Sequence, residues 1–218
     1  MHKIVTNLLE IKNDIKQFKT NVNDQVELIA VSKTFAAEQI LPLIDFGHIH
    51  FGENKIQEAL NKWSTLKSKY PSLKLHMLGK IQTNKAKYLL PLFDYIHSLD
   101  NYKLAEKIAD QEEKKGKKLS IFIQVNLGEE NQKNGVMAED LEKFYLQCSS
   151  QLNLNIIGLM CLPPIKDEPT KHFLKLHNLA KNLGIANLSM GMSNDYKEAV
   201  KSGSTFIRVG SRLFGSRN

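Results

Sequence analysis

The sequence of 218 residues predicts a single (β/α)8 barrel, also called a TIM barrel, preceded by one extra helix. Three observations lead to this prediction. Eight short runs rich in apolar and β-branched residues recur along the chain, segments of helical period lie between them, and the runs lack clean alternation with polar residues. Strands with this pattern are typical of parallel sheets buried on both faces, and eight of them favour a closed barrel over an open sheet.

The first predicted element is an amphipathic helix over residues 1–19. Its apolar side chains recur at helical spacing among lysines and aspartates: Ile4, Leu8, Ile11, Ile15 and Phe18. A signal peptide would instead have an unbroken apolar segment. No part of the sequence approaches the roughly 18 apolar residues that a membrane span needs.

The eight predicted strands then follow in order. They cover residues 27–33, 48–52, 75–79, 95–99, 120–126, 155–161, 187–191 and 205–210. Four of the connecting segments show apolar residues at helical spacing, and several of these segments end at a glycine or before a proline. The spaced residues are Ile56, Ala59, Leu60, Trp63 and Leu66; Leu104 and Ile108; Leu141, Phe144, Tyr145 and Cys148; and Phe173, Leu176, Leu179 and Leu183.

Pro42 falls inside the helix predicted after the first strand. Proline cannot donate a backbone hydrogen bond, so we expect this helix to be short or kinked. Eight compact strand and helix units with one leading helix leave no room for a second domain. We therefore expect residues 1–218 to form one domain.

The charge balance makes an anionic partner possible. Lys and Arg together number 30 against 23 for Asp and Glu, which gives a formal net charge of +7. Nucleic acid, a membrane surface and a small phosphorylated ligand would all suit this excess. The densest basic run, residues 114–118, is interrupted by Gly116 and follows Glu112 and Glu113, as in a solvated helix end. No recognisable nucleic-acid-binding module accompanies it.

The two cysteines, Cys148 and Cys161, are too few for a disulfide framework and too far apart in sequence for a Cys-x-x-Cys pair. A reducing compartment fits this usage, and we expect a cytoplasmic protein. His48 and His50 share one strand face but have no third ligand at metal-site spacing, and His172 and His177 are five residues apart. We expect no metal site.

Lys33 is a candidate nucleophile, because active sites of (β/α)8 barrels lie at the carboxyl ends of the strands. The residue ends an apolar run, so its amine would lie at the mouth of an apolar barrel. Loss of solvent there lowers the pKa of a lysine and favours the neutral amine that forms a Schiff base. The alternative is an ordinary lysine whose charged end reaches solvent.

A phosphate site is the second candidate. Ser193 follows the seventh predicted strand, and Gly210 and Ser211 follow the eighth. The loops after these two strands commonly bind phosphate in such barrels, through backbone N–H groups and a hydroxyl. Serine and glycine are also ordinary turn residues, which is the alternative interpretation.

Arg208 lies inside an otherwise apolar strand. A buried guanidinium without a partner is costly, so we expect Arg208 to contact a ligand or an acid within the barrel.

The spacing of Gly210 and Gly215 imitates a P-loop, but Ser216 and Arg217 replace the Lys-Ser/Thr pair of that motif. We therefore predict no P-loop.

Taken together and in order, the short motifs of the chain resemble one family, the pyridoxal phosphate (PLP)-binding YggS/PROSC proteins, also called pyridoxal phosphate homeostasis proteins. The resemblance extends over nearly the whole chain. The motifs are AVSKT at 30–34, FGENK at 51–55 with Gln57 and Glu58, HMLGKIQTNK at 76–85, QVN at 124–126 with Lys133 and Gly135, GLM at 158–160, LSMGMS at 188–193 with Asp195, and RVGS at 208–211 followed by Phe214 and Gly215.

The resemblance implies the barrel of the alanine racemase N-terminal domain, the fold-type III arrangement of PLP proteins, and a role for each site residue. Lys33 would form the internal aldimine with the cofactor aldehyde. Ser193, Gly210 and Ser211 would hold the phosphate, with Ser211 standing where threonine is usual and keeping the hydroxyl. Asn54 would lie beside the ring, and Arg208 would approach the pyridine nitrogen.

The same resemblance implies a protein that holds PLP and contributes to its homeostasis inside the cell, rather than an enzyme. An arginine at the pyridine nitrogen weakens the electron sink that PLP catalysis uses. Racemases of this type also obtain a second base, a tyrosine, from a further domain and a dimer partner, and we expect neither here. The alternative is a small PLP-dependent amino-acid racemase or lyase. We expect a monomer, with PLP-dependent apo-enzymes as possible partners and no nucleic acid or membrane.

Overall fold

The barrel predicted from the sequence is present in the computed structural model, which describes residues 2–20, 25–128 and 134–215. Its strands are β1 (Glu27–Val31), β2 (His50–Glu53), β3 (Lys74–Met77), β4 (Tyr95–Leu99), β5 (Ser120–Asn126), β6 (Val136–Met137), β7 (Ile156–Cys161), β8 (Asn187–Met192) and β9 (Phe206–Val209). All pairings are parallel. The sheet runs β4-β3-β2-β1-β9-β8-β7-β5, and pairing of β4 with β5 closes it into a barrel of eight strands. The two-residue strand β6 pairs with the end of β5 and, among the described residues, with no other strand.

The helices are α1 (Lys3–Phe18), α2 (Ala37–Asp45), α3 (Ile56–Lys69), α4 (Tyr102–Lys115), α5 (Leu141–Leu146), α6 (Pro169–Asn182), α7 (Tyr196–Lys201) and α8 (Ser211–Phe214). The predicted strands and the four helical segments are confirmed to within a few residues. Pro42 lies inside α2, which has nine residues. Within the part of the chain that the structure describes, no helix is long and apolar enough to cross a membrane.

The third connection departs from the simple alternation of strands with helices. Between β3 and β4 the chain forms a 3-10 helix, Thr83–Tyr88, followed by turns. Pro91 explains why no α-helix extends through this segment, since the residue before a proline is disfavoured in the helical region. Leu89, Leu92 and Phe93 are nevertheless buried, so the segment still covers its strands.

The extra helix α1 packs on the outside of the barrel next to its last loops. Val5, Leu8, Ile11 and Ile15 form its buried face, as its periodicity predicts. The side chain of Asn7 donates a hydrogen bond of 2.9 Å to the carbonyl of Leu213 in α8. Helix α1 therefore supports α8, whose first residue is one of the predicted site residues.

The barrel interior differs in composition from the shell between strands and helices. The shell is almost entirely apolar, whereas the interior combines a small cluster of Ile29, Phe122, Met160 and Phe206 with buried polar side chains. The ring of His97 stacks on Phe122 with centroids 4.3 Å apart. The polar interior leads directly to the carboxyl ends of the strands, where the candidate site lies.

Candidate functional site

A cavity of about 580 Å³ lies at the carboxyl ends of the strands. All six residues predicted from the sequence line it: Lys33, Asn54, Ser193, Arg208, Gly210 and Ser211. They come from the ends of β1, β2, β8 and β9, which are far apart in sequence and meet because β1 pairs with both β2 and β9. The volume is typical of a small-molecule site.

Lys33 stands in the turn that follows β1. Its side chain is partly buried at the cavity wall. The next residue, Thr34, has a φ of 69°, a left-handed conformation that a threonine rarely adopts. Surrounding contacts must therefore hold this turn in place.

Those contacts come from Glu53, Glu58 and Lys62, which we call the clamp. The ammonium of Lys62 donates to the Ser32 carbonyl at 2.7 Å and to Glu53 Oε1 at 2.9 Å, and it lies 3.4 Å from Glu58. The carboxylate of Glu58 accepts a hydrogen bond from the backbone N–H of Thr34. The clamp thus holds the residues on both sides of Lys33.

Glu53 is the fully buried centre of the clamp. Its Oε1 also accepts hydrogen bonds from the hydroxyl of Ser32 at 2.8 Å and from the indole N–H of Trp63 at 2.9 Å. Its Oε2 has no hydrogen-bond partner among the described residues. Glu53 was recognised from the sequence only as part of the FGENK motif, and Lys62 was not found.

The hydroxyl of Ser193 converges with backbone donors from the loop after β9. Its Oγ lies 3.2 Å from the N–H of Gly210 and 3.4 Å from that of Arg212, and it accepts from both. Ser211 lines the cavity between these two donors. A hydroxyl and adjacent backbone N–H groups at one point form a donor set that suits a phosphate.

Gly210 is not required by the packing of the protein itself. A Cβ at this position would lie 3.5 Å from the Cβ and carbonyl oxygen of Val31, an ordinary contact, and the backbone does not have a positive φ. Gly79 differs, because a Cβ there would lie 2.1 Å from the carbonyl oxygen of Asn54. Gly79 therefore allows the close approach that fixes the backbone of Asn54.

Arg208 projects from β9 into the interior and is 5% exposed. One guanidinium nitrogen donates to the hydroxyl of Ser189 at 2.6 Å and another to the carbonyl of Cys161 at 2.9 Å. Burial lowers the pKa of Arg208 below its ordinary value, while Asp195 opposes that shift. The expected partner was a ligand or an acid, and the contacts instead go to a hydroxyl and a carbonyl. The side chain still lines the cavity.

One wall of the cavity was not found by sequence reasoning. It is formed by the loop after β7 and the first residue of α6, with Leu162, Pro163, Pro164, Ile165 and Asp167 from the loop and Pro169 from the helix. Three prolines within eight residues were the available signal of a stiff loop at this strand end.

Lys133, one of the motif residues, lies outside the described residues. Across residues 2–20, 25–128 and 134–215, no group of three or more His, Cys, Asp or Glu could hold a metal ion.

Sequence and structure comparisons find relatives that are named for pyridoxal phosphate or have been solved with PLP bound. A curated relative from Aquifex aeolicus, named pyridoxal phosphate homeostasis protein, is 36% identical over 88% of this chain and 87% of its own. The structure of PipY from Synechococcus elongatus PCC7942 with PLP bound is 34% identical, with a TM-score of 0.87 over 97% of this chain and 100% of that chain.

Alanine racemase from Corynebacterium glutamicum shares the fold. Its structure has a TM-score of 0.70 at 16% identity and covers 99% of this chain and 60% of the racemase. The family described as alanine racemase, N-terminal domain, matches residues 6–218. The chain therefore belongs to the alanine racemase N-terminal domain family and, within it, to the pyridoxal phosphate homeostasis proteins.

Proposed function

We propose that this protein binds pyridoxal 5'-phosphate at the carboxyl ends of its barrel strands and contributes to homeostasis of that cofactor without turning over a substrate. The observation that supports this most is the convergence of the six predicted site residues on one cavity. The name of the Aquifex relative and the PLP bound to PipY point to the same ligand.

The phosphate would be held by Ser193, Gly210 and Ser211. In the present arrangement the Ser193 hydroxyl accepts hydrogen bonds from the N–H groups of Gly210 and Arg212. A phosphate oxygen could accept from the same N–H groups while the hydroxyl turns to donate to it. Helix α8 is short, so the donors of this site are the individual backbone groups and the hydroxyl.

Lys33 would provide the covalent attachment. When bound, PLP supplies an aldehyde that reacts with a primary amine of the protein, with loss of one water. The clamp holds Ser32 and Thr34 on either side of Lys33, so the amine enters the cavity from a fixed backbone. Asn54 would line the cavity beside the ring.

Arg208 would face the pyridine nitrogen and is the residue that argues for holding over catalysis. A guanidinium can only donate hydrogen bonds, and it keeps its charge in proteins. Such a neighbour disfavours protonation of the ring nitrogen, and a protonated ring is the better electron sink. The site therefore suits storage of a reactive aldehyde.

The recipients of the cofactor would be PLP-dependent apo-enzymes, and the protein itself would act as a monomer. A reducing compartment such as the cytoplasm fits Cys148 and Cys161, which are both buried and not disulfide-bonded. The cavity wall formed by the loop after β7 carries Leu162 and Ile165, both exposed.

An amino-acid panel tests holding against catalysis. Protein loaded with PLP is incubated with each amino acid, and racemisation and loss of the amino group are followed by chiral chromatography and keto-acid detection. We expect rates no higher than those of free PLP at the same concentration. Rates above that background in wild type that disappear in Lys33→Arg would replace this proposal with the alternative, a small PLP-dependent racemase or lyase.

A further inference from the structure

A chain of hydrogen-bond contacts crosses the barrel interior from its amino-terminal end to the candidate site. Nδ1 of His50 lies 2.9 Å from Nε2 of His76, and Nδ1 of His76 lies 2.9 Å from Nε2 of His97. Nδ1 of His97 lies 2.8 Å from the hydroxyl of Ser189, which accepts a hydrogen bond from Arg208 at 2.6 Å. We call these five residues the relay.

The two ends of the relay have fixed hydrogen-bonding roles. Arg208 can only donate, so Ser189 must accept from it. At the other end, Nε2 of His50 faces the carboxylate of Glu27 at 3.5 Å, and an ionised carboxylate can only accept. Each neutral imidazole between these ends has one donor and one acceptor nitrogen. Ser189 accepts from Arg208 in either direction, so the direction is selected by the Glu27 carboxylate and by the hydroxyl hydrogen of Ser189, for which His97 is the acceptor.

That direction places the hydrogen of every ring on Nε2. The Ser189 hydroxyl then donates to His97, His97 to His76, His76 to His50, and His50 points its N–H at Glu27. The reverse direction would turn a lone pair of His50 towards the Glu27 carboxylate. It would also leave the hydroxyl hydrogen of Ser189, which is fully buried, without its acceptor, and an unpaired buried donor is costly.

The two inner rings are held neutral by their surroundings. His76 and His97 are both fully buried, and burial is the main reason why their pKa values lie well below the ordinary value. The neighbouring His97 lowers the pKa of His76 further, and the charge of Arg208 does the same for His97. A neutral ring has one donor and one acceptor nitrogen, so neutral rings at His76 and His97 allow the hydrogen bonds to run in a single direction.

His50 is the outer member of the relay and the one that solvent can reach. Glu27, its partner, has a side chain that is 46% exposed. Both residues line a second cavity, of about 840 Å³, at the amino-terminal ends of the strands. The charged and titratable groups around His50 are Glu27 on β1, His48 just before β2, Lys74 and His76 on β3, Asp94, Tyr95 and His97 on and just before β4, and Lys19, His177 and Lys201 around the cavity.

We propose that Ser189, His97, His76 and His50 are positioning residues for Arg208, and that the relay transmits the protonation state of His50 from one mouth of the barrel to the candidate site at the other. With the relay directed towards Glu27, the Ser189 hydroxyl donates to His97 and presents a lone pair to Arg208. The relay depends only on residues of this chain, whereas its effect on cofactor retention rests on the proposed function.

Protonation of His50 requires the whole relay to reverse. A protonated His50 carries hydrogens on both nitrogens, so His76 must accept at Nε2 and carry its own hydrogen on Nδ1, and His97 must do the same. Ser189 then accepts from both His97 and Arg208. The net change is one proton gained from solvent, which ends on Nδ1 of His50. His76 and His97 each exchange the hydrogen on Nε2 for one on Nδ1, and Ser189 keeps its hydroxyl hydrogen.

The relay itself is tested on protein without PLP. Long-range nitrogen–hydrogen NMR correlations of the histidine rings, assigned with single histidine variants, report which nitrogen carries the hydrogen. We expect His76 and His97 to carry it on Nε2 at pH 7.5. Hydrogens on Nδ1 of these two rings, or a rapidly exchanging mixture, would overturn the proposed direction.

The positioning role is tested with Ser189→Ala and a matched control. Ser204→Ala removes another buried hydroxyl of the barrel, one that donates to the Met190 carbonyl at 2.8 Å and takes no part in the relay. We expect Ser189→Ala to change the His97 tautomer signal and to weaken PLP retention about tenfold, the effect of losing one hydrogen bond to a charged group. Ser204→Ala should change neither.

The outcomes separate the two proposals. Unchanged retention in Ser189→Ala would contradict the positioning role even if the tautomers are as expected. A wild-type protein that shows the expected tautomers but binds no PLP would overturn the proposed function and leave the relay in place. Thr at position 189 keeps the hydroxyl, so Ser189→Thr should restore the His97 signal seen in wild type.

Discussion

Ser32, the residue before Lys33, donates its hydroxyl hydrogen to Oε1 of Glu53 over 2.8 Å, and Glu53 is fully buried. The same oxygen accepts from Lys62 at 2.9 Å. The turn that carries the candidate nucleophile is thus held by a buried ion pair. Buried pairs of this kind give position as much as stability, because their desolvation offsets much of their attraction.

Breaking this pair should be costly. Lys62→Met leaves the Glu53 carboxylate buried without its counter-charge, and we expect the free energy of unfolding to fall by about 3 kcal/mol or more. Urea denaturation at pH 7 measures it. The control is Lys107→Met, which breaks the exposed pair with Asp110 and should change stability by less than about 1 kcal/mol. Equal losses in the two variants would contradict a structural role for the clamp.

Removal of the Ser193 hydroxyl should weaken the phosphate site without affecting the fold. Ser193→Ala loses a group that can donate to a phosphate oxygen, and we expect PLP to dissociate roughly tenfold more readily. Equilibrium dialysis measures the affinity. Ser202→Ala, which removes a hydroxyl bonded to the carbonyl of Glu198 at the opposite end of the barrel, is the matched control. The phosphate assignment fails if both variants retain PLP like wild type.

Substitutions at Gly210 should separate ligand contact from protein packing. Gly210→Ala places a Cβ 3.5 Å from Val31, so we expect stability to change by no more than about 0.5 kcal/mol. Gly210→Val adds bulk beside Ser193 and should reduce PLP retention more than alanine does. Gly158→Ala is the contrasting case, because its Cβ would lie 2.4 Å from the Phe122 ring and should destabilise the fold. Thermal melts and dialysis on the three variants check both expectations.

Stability should fall as the pH is lowered through the range of ordinary histidines. Burial lowers the pKa of His48 from 6.5 to about 3, and it lowers those of His76 and His97 as well. Below pH 6.5 the unfolded chain binds protons at these histidines and the folded chain does not. Each therefore lowers the free energy of unfolding by about 1.4 kcal/mol per pH unit, down to its folded pKa.

Urea denaturation at pH 7, 6 and 5 measures this slope. Replacement of one buried histidine, as in His48→Phe, should reduce the slope of the free energy of unfolding against pH by about 1.4 kcal/mol per pH unit. His2→Gln, which removes an exposed histidine before α1, should leave it as in wild type. A stability that is flat from pH 7 to pH 5 would show that the buried rings do not stay neutral.

The barrel and the position of the site could be predicted from the sequence because both depend on patterns within single segments. The apolar runs and helical periods reflect contacts that each segment makes along its whole length, and the carboxyl ends of strands follow once the strands are placed. Lys33, Ser193 and Arg208 could therefore be selected by position alone. The (β/α)8 prediction implies an α-helix before β4, whereas the structure has a 3-10 helix there, in keeping with Pro91, which disfavours the helical conformation of Leu90.

The clamp and the relay needed the three-dimensional register. Glu53 meets Lys62 only because α3 folds back along the barrel after β2. The relay depends on which side of each strand faces inward: His50, His76 and His97 lie on three neighbouring strands, and a shift by one residue would turn any of them out of the barrel. In a strand buried on both faces, the pattern of apolar residues does not show which side chains point into the barrel.

The most direct test of the account asks which lysine carries the cofactor. The protein is saturated with PLP, reduced with borohydride, digested and mapped by mass spectrometry, with Lys33→Arg as the test variant and Lys55→Arg as the control for an exposed lysine near Asn54. The account predicts the pyridoxyl group on the peptide that contains Lys33 in wild type and in Lys55→Arg, and its loss in Lys33→Arg. A pyridoxyl group on another lysine in wild type, with Lys33 unmodified, would contradict it.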